Sequence, residues 1–394
     1  MEAYYIAALK RVKGLGDRRI AELLNRFSSA KELWESDMEK IRSLGLLQDK
    51  TIENFQKYRA DNKNYPEKLF EECKSKNIKA ISIKDEAYPY PLKQIHEAPA
   101  MLFFKGDLPS DEDLCIAMVG SRNITPYGKQ VADMIAQDLA RAGVVVVSGA
   151  ARGIDTASHI GALKAGRSIA VLGCGVDVIY PQENRRLFYE ILNTGGAIIS
   201  EYPPGTSPYP AFFPARNRII SGISYGTIVV EAGRRSGALI TAEHALNEGR
   251  DVFAVPGSIF SHMSEGTNRL IKEGAKPVTE AYDIVKEYKH LDLRKIVDRV
   301  DSPDTPRKKY KINASKEEEK KSAKMKENLP PMTAEEKIVY QLLSYKSPLS
   351  MDEILISMPG HIEVQNLSMI LLQLTMKGIV KEDGAQKYLR VERT

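Results

Sequence analysis

From residue 112 to about 280 the sequence alternates short, β-branched apolar runs with amphipathic stretches of helical length, and few folds satisfy that alternation. The runs predict strands at Cys115 to Val119, Val144 to Ser148, Ile169 to Leu172, Ala197 to Ser200, Thr227 to Glu231 and Val252 to Val255. Each is apolar at nearly every position, so both faces of the sheet must be covered, as they are when parallel strands are joined by helical crossovers. Tyr127 to Arg141 and Ile154 to Ala165 supply such crossovers. The expected fold class is α/β, a Rossmann-like, doubly wound, mostly parallel sheet.

The flanks follow other rules. Residues 1 to about 60 read as short helices, with turn signals at Lys13-Gly14-Leu15-Gly16 and Ser43-Leu44-Gly45. Gly-x-Gly ahead of the helix Asp17 to Phe27 resembles a helix-hairpin-helix, in which glycines bring backbone N–H groups and a helix N-terminus against a DNA phosphate. A tight interhelical turn accounts for the same residues. A helix around Glu67 to Lys76, a short strand Ala80 to Ile83 and the proline-rich Tyr88 to Leu92 lead into the sheet. Residues 298 to 331 hold almost no large apolar side chains and are dense in Lys and Glu, the composition of a flexible linker. Beyond them Thr333 and Glu336 make a capping box before a helix through Leu343. Helical stretches Met351 to Met358 and Val364 to Lys377 and a Gly-turned hairpin complete winged-helix order. The expected domains are thus 1–65 helical, 66–290 Rossmann-like, 291–331 linker and 332–394 winged helix.

Composition narrows the class. Hydrophobic residues make up 43% and charged residues 28%, the balance of a soluble globular protein. No apolar run approaches the roughly 20 residues of a membrane-spanning helix. The first residues lack a basic stretch and a small-residue cleavage site, so a cytoplasmic protein is expected. Three distant cysteines, Cys73, Cys115 and Cys174, suit buried reduced thiols rather than a disulfide framework or a zinc site. A net charge of +5 is compatible with a polyanion partner.

Three loops fall at the carboxyl ends of the first strands, where an open parallel sheet binds its ligand. They are Gly120-Ser121-Arg122, the segment Ser148-Gly149-Ala150-Ala151-Arg152-Gly153-Ile154-Asp155, and Gly173 to Asp177. Each leads into a helix or turn whose backbone donors favour anions. The first βα turn has no GxGxxG, which speaks against a dinucleotide, and no GxxxxGK[ST] marks an ATP site. No cofactor and no metal are implied, and phosphates held by such loops suit a polymer. The segment 202–220 interleaves aromatics with Arg216, Asn217 and Arg218, so that Phe212 and Phe213 are candidates to stack on unpaired bases at roughly 1–3 kcal/mol each. Tyr180 to Arg186, with Asn184 and Arg185, adds two cations and one aromatic in a second loop that the same groove can collect. Glu231 to Glu243 gathers carboxylates, hydroxyls and glycines after a strand, and reads as a strand end followed by a capped helix. The histidines show no ligand spacing and no GxSxG marks a nucleophile.

Taken together, VGSR at 119–122, SGAARGID at 148–155, GCGVDVIYPQEN at 173–184, FPARNRIISG at 213–222, SGALITAEHAL at 236–246, FAVPGS at 253–258 and EGTNRLIKEGA at 265–275 resemble the DprA/Smf family. The resemblance spans about 100–280, and the helical N-terminus looks like that family's SAM-like or helix-hairpin-helix module. It implies a protein without catalytic activity that binds single-stranded DNA in a basic pocket and delivers it to a RecA-type recombinase during natural transformation. It also implies a homodimer formed through the Rossmann-like domain. Arg122 is the first expected DNA contact, joined by Gly120, Ser121, Ser148, Gly149, Arg152, Gly153, Asn184, Arg185, Phe213, Arg216, Asn217 and Arg218. Some members carry Lys where Gln182 stands, and Ala150 replaces a usual Leu.

Two other functions compete. Nucleotide phosphoribohydrolases of the LOG type share the sheet but use PGGxGTxxE, whereas this chain has EAGRRSGALITAE. A duplex-reading winged helix would need side chains for base edges, and Glu363 to Gly378 is mostly apolar without arginine.

Overall fold

The structure, a computed structural model, describes residues 1–289, 330–343, 349–358, 364–382 and 387–391. It divides into two compact units, Met1–Ser302 and Pro303–Thr394. Most of the predicted linker, and the Asp383-Gly384 turn, lie outside the described residues.

The first unit opens with helices α1 (Glu2–Leu9), α2 (Asp17–Leu24), α3 (Ala30–Glu35), α4 (Met38–Ser43), α5 (Asp49–Asp61) and α6 (Tyr65–Ser75). Then follow β1 (Lys79–Ser82), α7 (Tyr90–Lys93), β2 (Met101–Gly106), β3 (Cys115–Val119), α8 (Pro126–Arg141), β4 (Val145–Ser148), α9 (Ile154–Leu163), β5 (Ser168–Leu172) and α10 (Arg185–Asn193). The unit continues through β6 (Ala197–Ser200), α11 (Phe212–Ile223), β7 (Gly226–Val229), α12 (Gly237–Asn247), β8 (Asp251–Ala254), α13 (Glu265–Lys272), β9 (Lys276–Pro277) and α14 (Tyr282–Val285). Among the described residues these strands form one nine-stranded sheet in the order β1-β2-β6-β5-β4-β3-β7-β8-β9. The run from β6 to β9 is parallel, and β1 and β2 extend it as an antiparallel edge.

Alternation within a strand shows why the sheet is covered on both sides. Cys115, Ala117 and Val119 of β3 enter one apolar cluster, whereas Ile116 and Met118 enter the other. Each fully buried large side chain contributes about 1.5–3 kcal/mol, so a polar residue at either parity would be costly. The six predicted strands occur within a residue or two of their expected ends, whereas β2 was not predicted. A third cluster joins Ile6, Leu9, Ile20, Leu23 and Trp34 of the N-terminal helices to Met101, Phe103 and Ile198 of the sheet. The helices therefore share a core with the Rossmann-like sheet.

In the Gly-x-Gly turn Leu15 is buried and both glycines are exposed. Gly14 has φ +93°, a left-handed conformation that glycine takes without strain, and a side chain there would meet Thr51. Asp17 begins α2 and accepts a hydrogen bond from Ala100 N at 3.0 Å, which links the helix head to the sheet edge. Lys10 lies 2.6 Å from both Asp17 and Glu201, and Arg218 on α11 lies 2.7 Å from Glu201 and 3.8 Å from Asp17. Two cations and two carboxylates thus neutralise one another at the junction. The second unit contains α15 (Ala334–Leu342), α16 (Met351–Ser357) and α17 (Val364–Met376) with a three-stranded antiparallel sheet. The capping box predicted at Thr333 and Glu336 is present.

Burial by itself would raise the Glu201 carboxyl, but Lys10 and Arg218 hold it well below the usual carboxylate range. Removing one member of such a part-buried cluster leaves the others uncompensated, so Glu201→Ala is expected to lower stability by about 2–4 kcal/mol, below the roughly 3–5 kcal/mol of a fully buried pair. Denaturant unfolding of the variant and the wild type checks this; a loss below about 1 kcal/mol, the worth of an exposed pair, contradicts it.

Candidate nucleic-acid interface

Strand order reverses at β3, since β4, β5 and β6 follow on one side and β7 and β8 on the other. A crevice is expected at the carboxyl ends of the strands there. The structure has one, a cavity of about 740 Å³ lined by the loops after β3, β4 and β7 and by the first turns of α11.

Backbone contacts fix the mouth of this cavity. Ser121 N donates to Glu231 O at 2.8 Å, and Ile154 N donates to Ser121 O at 3.1 Å. Gly153 has φ +80°, and a Cβ there would overlap the carbonyl oxygens of Ser121 and Arg122. The loops after β3 and β4 can touch only because that side chain is absent. Arg122 is thereby held outward, its guanidinium 5.5 Å from the centre of the Phe213 ring. On Phe213 also leans Tyr180, with ring centres 5.5 Å apart and Tyr180 itself 42% exposed. Arg122, Arg234 and Arg235 line the cavity and have no hydrogen-bond or ion-pair partner among the described residues.

The cavity floor contains a buried cation. Arg216 is 4% exposed, and its Nη1 donates to Gly149 O at 2.8 Å and to Val171 O. Gly149 makes room for it, because a Cβ there would fall on the guanidinium. Burial brings the Arg216 pKa down to about 10, with Asp155 opposing the change, so the group stays charged at neutral pH. Its Nε has no hydrogen-bond partner among the described residues. Burial raises the Asp155 carboxyl, and the Arg216 charge works against that rise. Behind them His159 is fully buried, its Nδ1 2.7 Å from Ser168 Oγ. That hydroxyl donates to Val146 O, so Nδ1 carries the proton and Nε2 is left bare. Burial, then the Arg216 charge, push the His159 pKa down to about 3.

Ala150 has φ 52°, a left-handed conformation costing a non-glycine residue about 1–2 kcal/mol. Asn184 Nδ2 donates to Ala150 O at 3.0 Å and to Thr156 Oγ1 at 2.9 Å, pinning the strained residue.

The predicted residues therefore separate into three groups. Gly120, Ser121, Arg122, Phe213, Arg216 and Asn217 line the cavity. Gly149, Gly153 and Asn184 shape its walls from behind, and buried Ser148 donates to Met118 O at 2.6 Å. Arg152 is paired with Glu183, Arg185 lies 3.4 Å from Gln182, and Arg218 is engaged by Glu201 and Asp17. Phe212 is stacked on Tyr202 at 4.2 Å with Tyr209 at its edge, so its ring is taken up within the protein. Glu231 accepts from Thr125 N at 3.0 Å and from the Thr125 hydroxyl, and Ser236 caps α12, in line with the capped-helix reading. Tyr180, the aromatic of the second loop, lines the cavity, whereas the sequence reading missed Arg234 and Arg235. The Arg-Arg pair directly before a capped helix was the available signal.

An open, mostly parallel sheet with a cavity at its switch point, lined by arginines and aromatics, defines a Rossmann-like protein. The chain belongs to the DNA recombination-mediator protein A family, whose pattern matches residues 79–289. It is 47% identical over 210 residues to DNA processing protein DprA of Streptococcus pneumoniae, covering 53% of this chain and 74% of that protein. Against DNA processing protein DprA of Bacillus subtilis it is 46% identical over 216 residues, covering 54% and 72%. The fold is similar to the X-ray structure of the Streptococcus pneumoniae protein, with TM-score 0.65 and 39% identity over 73% of this chain and 98% of that one.

Two outcomes follow from this geometry. Gly153→Ala forces the loops apart, and a cost of more than 2 kcal/mol is expected where left-handed strain and a backbone clash combine; thermal unfolding measures it. His159 is neutral in the folded protein down to about pH 3, while its unfolded value is 6.5. A depressed histidine pKa means the unfolded state binds the proton first. Stability is therefore lost as pH falls below 6.5, by up to about 1.4 kcal/mol per pH unit. Denaturation at pH 7, 6 and 5 should show that slope diminished in His159→Leu.

Proposed function

We propose that this protein binds single-stranded DNA in the switch-point cavity and passes the strand to a RecA-type recombinase. The observation that carries the reading is Arg122 held free at the cavity mouth beside Phe213 and the exposed Tyr180 ring. A cation takes the phosphate and an exposed ring takes a base, and only an unpaired base offers its face. Membership of a family described as recombination mediators supports the second step.

The cavity suits holding better than catalysis. Its buried carboxylate, Asp155, lies under the electrostatic influence of Arg216, and Glu231 is committed to the head of α8. Ser121, Asn217 and the glycine amides of the loops complete the contacts, with Arg152 and Arg185 at the periphery. Action in the cytoplasm accords with three buried free thiols and with the lack, among the described residues, of any helix long and apolar enough to cross a membrane. A homodimer formed through the Rossmann-like domain and a winged-helix second unit complete the reading.

Fluorescence anisotropy of labelled oligo-dT and a matched duplex, titrated at several salt concentrations, tests it. The single strand should bind more tightly, with log K falling against log salt at about −0.7 per phosphate contacted. Arg122→Ala should lose tenfold or more in affinity and about one phosphate from that slope. Equal binding of duplex and single strand, or an unchanged variant, contradicts the proposal.

A further inference from the structure

The cavity has a second cationic side that the motif reading passed over. After β7 the chain runs Gly233-Arg234-Arg235-Ser236-Gly237, and both arginines face the same cavity as Arg122. Ser236 is the N-cap of α12, an 11-residue helix, and the space where a Gly237 side chain would stand is open. The positive end of the helix and two unpaired guanidinium groups therefore converge.

Helix α11 sets the distance between the two sides. Arg122 lies over Phe213, and Asn217 Nδ2 reaches Gly237 O at 3.4 Å. Phe213 and Asn217 are one helical turn apart, a rise of about 6 Å, which is comparable to one step between neighbouring phosphates of an unstacked strand. Between them on the same helix stands Arg216, 4% exposed, lining the cavity with an Nε that has no partner among the described residues. A buried cation left partly uncompensated favours an anion in the cavity above it.

We propose that Arg234 and Arg235, with the amide end of α12, form a second phosphate subsite one nucleotide step from Arg122. The cavity then grips two consecutive phosphates and presents the base between them to Tyr180. The proposal rests on the single-strand reading above and adds which side chains take the second phosphate. It also gives the loop after β7 a role that the carboxylates nearby do not have, since Glu231 serves α8.

Oligo-dT titrations over a salt series, with the full chain, separate this proposal from the reading beneath it. Arg234→Ala/Arg235→Ala is compared with the wild type, with Arg122→Ala, with the charge-preserving Arg234→Lys/Arg235→Lys, and with the charge-matched Lys50→Ala/Lys57→Ala on α5. The double alanine variant is expected to weaken binding at least tenfold and to reduce the salt slope by about 0.7, one phosphate's worth. The lysine pair should restore most of the slope, and the α5 variant should change affinity less than twofold. Circular dichroism and melting of the exposed-residue variants verify that the fold is retained. If the double alanine variant binds like the wild type, or no worse than the α5 variant, while Arg122→Ala is impaired, the second subsite is wrong and the single-strand reading survives. If the wild type shows no preference for the single strand, both fall together.

Discussion

The architecture of the site depends on one desolvated charge. Arg216 is carried into the interior by α11 and tied to the carbonyls of Gly149 and Val171, which end adjacent strands. Burying a guanidinium costs several kcal/mol unless polar groups surround it, and those carbonyls with nearby Asp155 offset the cost only in part. Two consequences follow. The loop after β4 must carry glycine at 149, because any Cβ would displace the charge. The residual positive field at the cavity floor gives an open sheet end a preference for anions without any cofactor motif.

The residues around that charge divide into those that face the cavity and those that hold them. Arg122 reaches outward because Gly153 lets its loop settle against α9, and Asn184 secures the left-handed Ala150 in the next loop. The opposite face of α11 is fixed by the ion cluster of Lys10, Asp17, Glu201 and Arg218, so the N-terminal helices stabilise the cavity from behind. Asp17, in the first turn of α2, is engaged by Lys10, Arg218 and Ala100 N.

Much of this was legible in the sequence. Apolar β-branched runs mark strands buried on both faces, and the six central strands lie where the pattern places them. Strand β2 was missed because Met101 to Phe104 follows a proline-rich segment and pairs antiparallel with β6, outside the βα alternation. Charge was easier to find than direction. Arg216, Asn217 and Arg218 are consecutive, yet successive residues on a helix are rotated by about 100°. Arg216 and Asn217, three and four residues after Phe213, share its face, whereas Arg218 turns to Glu201. Helical spacing identifies that face; only tertiary structure shows that Arg216 is buried and Arg218 neutralised. Asn184 is placed at the site by its position in a matching motif, and its hydrogen-bond partners in the fold stand 28 and 34 residues away, which no local pattern shows.

The central claim is that the strand lies at the carboxyl ends of β3, β4 and β7. Hydrogen–deuterium exchange of the full chain, with and without saturating oligo-dT, tests it residue by residue without altering any side chain. Slowed exchange concentrated at 120–123, 149–155, 212–217 and 233–238 is the predicted result. Unchanged exchange in those loops, with protection appearing instead on helices α2 to α5 or in the second unit, would contradict the account.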